Sequence, residues 1–264
     1  MSSEPWSGPL HAAYGTLLQE LELADVANPA APAPSAATID ALAARIGRPL
    51  SAAGAPIHFR RDLPSAGDYE STIARTGGVS TRDHCWHDTF NALVWLRYPC
   101  IKAAMNARHC EVLATATGPG RGPVRDALTL FDEEGLVLIS DDAALLDDLH
   151  AQRWREAMHG RRPALERATL HVIGHALLDK ARMPFVGLCA KVLLLHADAA
   201  PLECAAFDLW LAGRIRAADW PASPRDLRPL PVLGLPGMTP ENLHAGYFDD
   251  ARQFRPARAV ITGD

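Results

Sequence analysis

Between Thr81 and Asn106 the chain concentrates side chains able to move protons or hold an anion: Arg82, His87, Asp88, Asn91, Lys102 and Asn106. On a helix, His87 and Asn91 lie four apart and share a face. An imidazole titrates near neutrality and can serve as general acid or base. Asp88 could orient an imidazole, or hold a metal with a partner from elsewhere in the fold. Asn91 and Lys102 could stabilise an oxyanion or a phosphate. If the helix ran through Pro99 with only a modest kink, Lys102, Asn106 and His109 would return to the same stripe. His87, Asp88 and Asn91 are therefore the candidate catalytic residues. Arg82, Lys102, Asn106 and Arg125 are the candidate substrate contacts. The competing reading is a polar seam whose groups are satisfied by neighbouring loops. Partners are needed in either case, because an unsatisfied buried polar group costs roughly 1–3 kcal/mol.

A second cluster is His171-Val-Ile-Gly-His175, with Asp179 four residues on. On a helix this His pair has the spacing of a zinc site. Val172 stands where a zinc protease carries its general-base Glu, so that chemistry is not supported. Metal ligation through His175 remains open, with His171, with His87, or with Asp249 or Asp250. The alternative is one surface His and one packed His. Gly118–Gly122 lacks the Lys-Ser/Thr ending of a phosphate loop and reads as a turn region. Arg125-Asp126 also fits a salt bridge at a strand start. Neither GxSxG nor HExxH occurs. Cys85 lies beside His84 and His87, but sequence adjacency is not catalytic geometry.

These groups must be positioned by a set of mostly helical elements. Leu10, Tyr14, Leu17, Leu18 and Leu21 have helical spacing over Leu10–Leu23. The Ala/Pro tract from Asn28 to about Ala37 lacks core-forming residues and reads as an extended loop. Thr38 could cap a short helix ending at Gly47. Ile57–Arg60 reads as a strand and Asp68–Arg75 as a short helical piece. Trp86–Arg97 reads as a buried helix, apolar nearly all round, and Ile101–Leu113 as another beyond Pro99. Ala127–Phe131 and Leu136–Ile139 read as a β-hairpin turning at Gly135. Asp141 and Asp142 open a helical stretch. Helices are expected over Leu145–His159, Pro163–Lys180 and Ala205–Ala217, a strand over Phe185–Leu195, and an irregular Pro-rich tail from Trp220. The expected class is helix-rich α+β with a β-hairpin and a few further short, mostly antiparallel strands, without βαβ alternation. Residues 1–37 form an N-terminal helix plus loop, and 38–264 a single domain.

The whole-chain properties narrow the function classes. At 264 residues, with 48% hydrophobic and 22% charged residues, the chain can bury a core without staples. A net charge of -5, well mixed, argues against nucleic-acid binding. The densest basic stretch, Arg153 to Arg167, is interleaved with Glu156 and Glu166 and reads as a solvated helix face. Five cysteines without a CxxC pair argue against a disulfide framework and a Cys-based zinc site. No signal-like start or membrane-length apolar run is visible, so a cytoplasmic protein is expected. No motif identifies a cofactor, and the oligomeric state is not legible.

Several motifs, in order, resemble the bacterial family catalogued as domain of unknown function 3025. They are Tyr69-Glu70, Thr81-Arg82-Asp83, His87-Asp88-x-Phe90-Asn91-Ala-Leu-Val-Trp95, Pro99, Lys102, Asn106, Arg121–Gly135, Gly174–Lys180, Pro229–Gly237 and Tyr247–Pro256. The resemblance spans about Pro56 to Pro256 and implies one family-wide domain and no stated activity. In the second cluster it falls on His175, not His171. Two functions are carried forward. One is a hydrolase or transferase acting on a small polar or anionic substrate in a His/Asp/Asn/Lys pocket. The other is a non-catalytic binding or interaction module, with the six tryptophans and the Pro-rich tail as contact surfaces.

Overall fold

The computed structural model describes residues 8–23, 25–63, 69–115 and 122–257. Trp6 and most of the Gly118–Gly122 loop lie outside these. At the N-terminus, helix α1 (Gly15–Glu20) follows a 3-10 turn and is shorter than its apolar spacing suggests. Leu10, Tyr14 and Leu18 are fully buried in the main core. The Tyr14 hydroxyl donates to the Val172 carbonyl, and the His11 ring lies 2.8 Å from the Leu178 carbonyl.

Helix α2 (Ala36–Ile46) is capped by Ser35, whose hydroxyl accepts from the Thr38 amide, one turn earlier than the expected cap. It ends at Gly47, whose φ of 102° suits glycine. Next come β1 (His58–Arg60), α3 (Tyr69–Thr76) and β2 (Gly78–Ser80). The two strands pair in parallel, so this is a βαβ unit where none is expected from the sequence.

Helix α4 (Trp86–Arg97) keeps its expected limits, and α5 spans Pro99–Thr115. The helix does not run through Pro99. Tyr98 has φ -127° and ψ 60°, outside the helical region, as the residue before a proline should be. The first turn of α5 is capped in trans: Asp208 accepts from the amides of Cys100 and Ile101 at 2.9 and 2.8 Å. Two apolar clusters meet on α4. Phe90, Leu93 and Val94 join the main core, while Ala92 and Trp95 join a smaller one with Ile39, Ile57, Phe59, Ile73 and Val79. Burial on both sides leaves α4 only a narrow polar stripe, His87, Asp88 and Asn91.

The expected hairpin is not there. Residues Pro123–Glu134 form helix α6, followed at once by strand β3 (Gly135–Ser140). Pro123 sits at the helix start. Gly135 makes no turn: its φ is -70°, and a Cβ there would strike Phe131, so it serves close approach. Helix α7 (Ala143–His150) is capped by Asp142 and stops short of the expected His159; a π-helical turn, Glu156–Gly160, follows. The expected helix Pro163–Lys180 is three elements: α8 (Arg162–Arg167), β4 (Thr169–Val172) and α9 (His175–Lys180). Strand β5 (Cys189–His196), helix α10 (Cys204–Arg216) and strand β6 (Arg228–Pro231) complete the fold.

The larger sheet has the order β4-β3-β5-β6. Strand β3 is buried over its whole length, which its unbroken Leu136–Ile139 run requires. It pairs antiparallel with β4 (Val137 opposite His171) and parallel with β5 (Leu136 opposite Val192). Strand β6, with Pro229 and Pro231, takes the edge, where a missing amide is tolerated. The molecule is helix-rich α+β. Its strand pairings are not mostly antiparallel: β1–β2 and β3–β5 are parallel, β3–β4 and β5–β6 antiparallel. No described helix is long and apolar enough to cross a membrane.

Candidate functional site

Helices α3, α4, α5, α6 and α9 converge around a polar cleft of about 560 Å³. His87, Asp88 and Asn91 come from α4, and Tyr69 and Glu70 from α3. Helix α6 contributes Arg125, Thr129, Asp132 and Glu133, α5 contributes His109, and α9 contributes His175. Ser80 and Arg82 close the rim. The cleft opens to water: the Arg82 side chain is 70% exposed and Glu133 41%.

At its floor the His87 and His175 rings meet edge to face, with Nε2 atoms 3.2 Å apart. Glu133 Oε2 lies 3.6 Å from His175 Nε2. Asp132 Oδ2 lies 3.8 Å from the other ring nitrogen of His175. Behind them Lys102, 5% exposed, donates to Asn91 Oδ1 at 2.9 Å and to Asp132 at 2.5 Å. The Asn91 amide in turn donates to the Tyr69 hydroxyl at 3.4 Å. Asn106 is buried and donates to both the backbone carbonyl and the carboxylate of Glu70.

Burial sets much of the electrostatics. It pushes the His175 imidazole down to about 4, against the pull of Asp132, so the ring is neutral near pH 7 with a lone pair to give. Burial alone would raise the Asp132 carboxyl, but Lys102 and His175 together outweigh it and hold it below its ordinary range. Glu133 is raised, first by burial and then by the neighbouring Asp132 charge. The same helix end therefore presents one firmly ionised carboxylate and one that is easier to protonate.

The structure gathers His87, Asp88, Asn91, Arg82 and Arg125 on the cleft, with Lys102 and Asn106 directly beneath. Asp88 does not hydrogen-bond the His87 imidazole. It accepts from the Arg82 backbone amide at 2.7 Å and from the Arg82 guanidinium at 2.9 Å through both oxygens, which holds it below the ordinary carboxylate range despite burial. Arg125 makes no hydrogen bond or ion pair among the described residues, and its Nε is buried; the expected salt bridge with Asp126 does not form.

His171 and His175 are not a helical pair. His171 lies on β4, stacked on Phe207 at 3.8 Å and 3.3 Å from the Tyr98 hydroxyl. Burial pushes it down to about 4. Asp249 and Asp250 pair with Arg155 and Arg252, away from His175.

Sequence reasoning misses Asp132 and Glu133, because it takes them for a hairpin turn. The signal is present nonetheless: with 3.6 residues per turn, Arg125, Thr129, Asp132 and Glu133 form one polar face opposite Ala127, Leu128 and Phe131.

No curated protein and no solved structure matches the chain. The model of a family described as "Protein of unknown function (DUF3025)" matches residues 58–258, a span that holds every residue of the cleft. The chain therefore belongs to the DUF3025 family.

Proposed function

We propose that the cleft is the active site of a hydrolase or transferase acting on a small polar, anionic substrate. The observation that carries this reading is that the His87–His175–Glu133 cluster and an Arg125 guanidinium unpaired among the described residues line one solvent-open cleft. Most small-molecule pockets are largely apolar with a few polar groups. This one is polar throughout, so it suits a polar ligand, and its volume suits a metabolite-sized one. A guanidinium with no partner among the described residues offers a bidentate fork to a carboxylate or phosphate. Arg82, fixed by Asp88 yet exposed, can reach the same group. His87, Glu133 and His175 form the reacting end.

The test is turnover of a panel of small phosphate and carboxylate esters by the wild type, His87→Ala and Arg125→Ala. Arg125→Ala removes no hydrogen bond or ion pair among the described residues, so stability should stay within about 1 kcal/mol. KM for the active ester should rise about tenfold or more. His87→Ala should fold normally and lose turnover. A cooperative collapse of thermal stability in His87→Ala, with no ester turned over by the wild type, would return the cluster to the polar-seam reading. For the interaction-module alternative, Trp86, Trp95, Trp154 and Trp220 are buried, Trp210 is partly exposed, and Trp6 lies outside the described residues.

A further inference from the structure

We infer that His87, Glu133 and His175 bind one divalent first-row transition ion, best matched by zinc, with Asp132 as the outer carboxylate that orients His175. Catalytic use of the ion rests on the hydrolase reading; its binding does not.

Four observations converge. The first is distance. Zinc bound by imidazole at 2.0–2.1 Å in tetrahedral geometry sets its ligand nitrogens about 3.3–3.4 Å apart. The two Nε2 atoms are 3.2 Å apart, and all three donor atoms lie within 4.8 Å of one another. The second is donor type. Two imidazoles and one carboxylate, with no thiolate nearby, form a three-ligand set that leaves a fourth position open, as catalytic zinc sites do. All three donor residues line the cleft.

The third is the outer shell. A ligating histidine usually gives its second N–H to a carboxylate, a backbone carbonyl or water. His175 Nδ1 is buried, makes no well-formed hydrogen bond among the described residues, and faces Asp132, whose backbone it approaches and whose Oδ2 lies 3.8 Å away. Asp132 is itself tethered by Lys102, so a small ring rotation closes the contact. The fourth is charge. Glu70, Asp88, Asp132 and Glu133 line the cleft against Arg82 and Arg125, with Lys102 behind. A wall set that is net negative by formal charge is a poor host for an anion alone. A divalent cation on the floor reverses that balance and reconciles the acidic floor with the free Arg125. It would also polarise a bound water or substrate oxygen at the open position.

The experiment is calorimetric titration of ZnCl2, then MnCl2, into chelator-treated full-length protein, with Co2+ substitution read by visible absorption. One ion per chain is expected, at micromolar affinity or tighter. His87→Ala and His175→Gln should weaken it at least 100-fold. Glu133→Gln, at a half-exposed position, tests the same site where folding is not at risk. Asp132→Asn should cost about tenfold and shift the Co2+ spectrum. Absence of one-to-one binding by any of these ions, or binding unchanged in His87→Ala and Glu133→Gln, overturns the site and leaves a plain hydrogen bond between two imidazoles. Zinc binding through these residues without ester turnover would sustain the metal site and sink the hydrolase. Turnover that persists in zinc-free protein and needs Arg125 would sustain the hydrolase and overturn a catalytic use of the ion.

Discussion

Lys102 is a cation enclosed by protein, and its partners decide what the site can hold. Its ammonium bonds Asn91 and Asp132 and sits 5.6 Å from the centre of the Trp95 ring. Removing one member of a buried pair leaves the other charge without compensation. Asp132 keeps 28% exposure, so part of that cost is relieved by water. Lys102→Met, similar in volume, should lower unfolding free energy by about 2–3 kcal/mol in urea denaturation. Unchanged stability would mean that Asp132 is held by other groups. The polar residues of α4 and α5 are legible in the sequence as a set, although a continuous helix is not what joins them. They meet because Pro99 breaks the helix and α5 packs beside α3 and α4. His175 is legible only as a spacing, because its partner lies 88 residues away in the chain.

At the scale of elements, the site depends on how α9 meets α6. Gly174, just before α9, lies against the α6–β3 junction, and a Cβ there would come within 2.6 Å of the Glu134 carbonyl carbon. Its own φ of -67° would accept alanine, so the obstacle is backbone contact alone. Gly174→Ala should cost about 1–3 kcal/mol as overpacking and push His175 away from Glu133. Gly213 is the control. It lies in α10, where an added Cβ would meet nothing within 4 Å, and Gly213→Ala should raise stability by about 0.5–1 kcal/mol through helix propensity. Paired thermal melts decide both, and equal effects of the two substitutions would refute the role of the Gly174 contact. The same junction defeats a reading from sequence. Over Ala127–Phe131 a two-residue and a 3.6-residue period both fit, and Gly135 looks like a turn glycine. Thr169–Val172, β-branched at both ends, is a strand because β3 offers it a ladder, and no local pattern records that offer.

For the molecule as a whole, Asp148 ties α7 to the π-helical turn beyond it. It is 5% exposed and accepts from Arg153 at 2.7 Å and Arg161 at 2.6 Å. Burial opposes ionisation, but the two guanidiniums outweigh it and hold the carboxyl below its ordinary range. A carboxyl depressed in the folded state stabilises fully above the unfolded value of about 4 and loses that contribution as pH falls through its own lower value. Asp148→Asn should therefore melt lower at pH 7 and show a shallower fall in Tm below about pH 4. Parallel Tm–pH curves for mutant and wild type would reject the linkage. By itself the sequence determined the helix-rich class, the limits of α4 and the presence of strand β5, and it singled out Arg82, His87, Asp88, Asn91 and Arg125, which line the cleft, because local periodicity, proline and caps act within a few residues. Tertiary structure alone decided that Asp132 and Glu133 end a helix, that His171 leaves the site, and that His87 and His175 face each other. Those outcomes turn on which distant surfaces a short segment can bury against, and a local pattern compatible with two conformations carries no information about that choice.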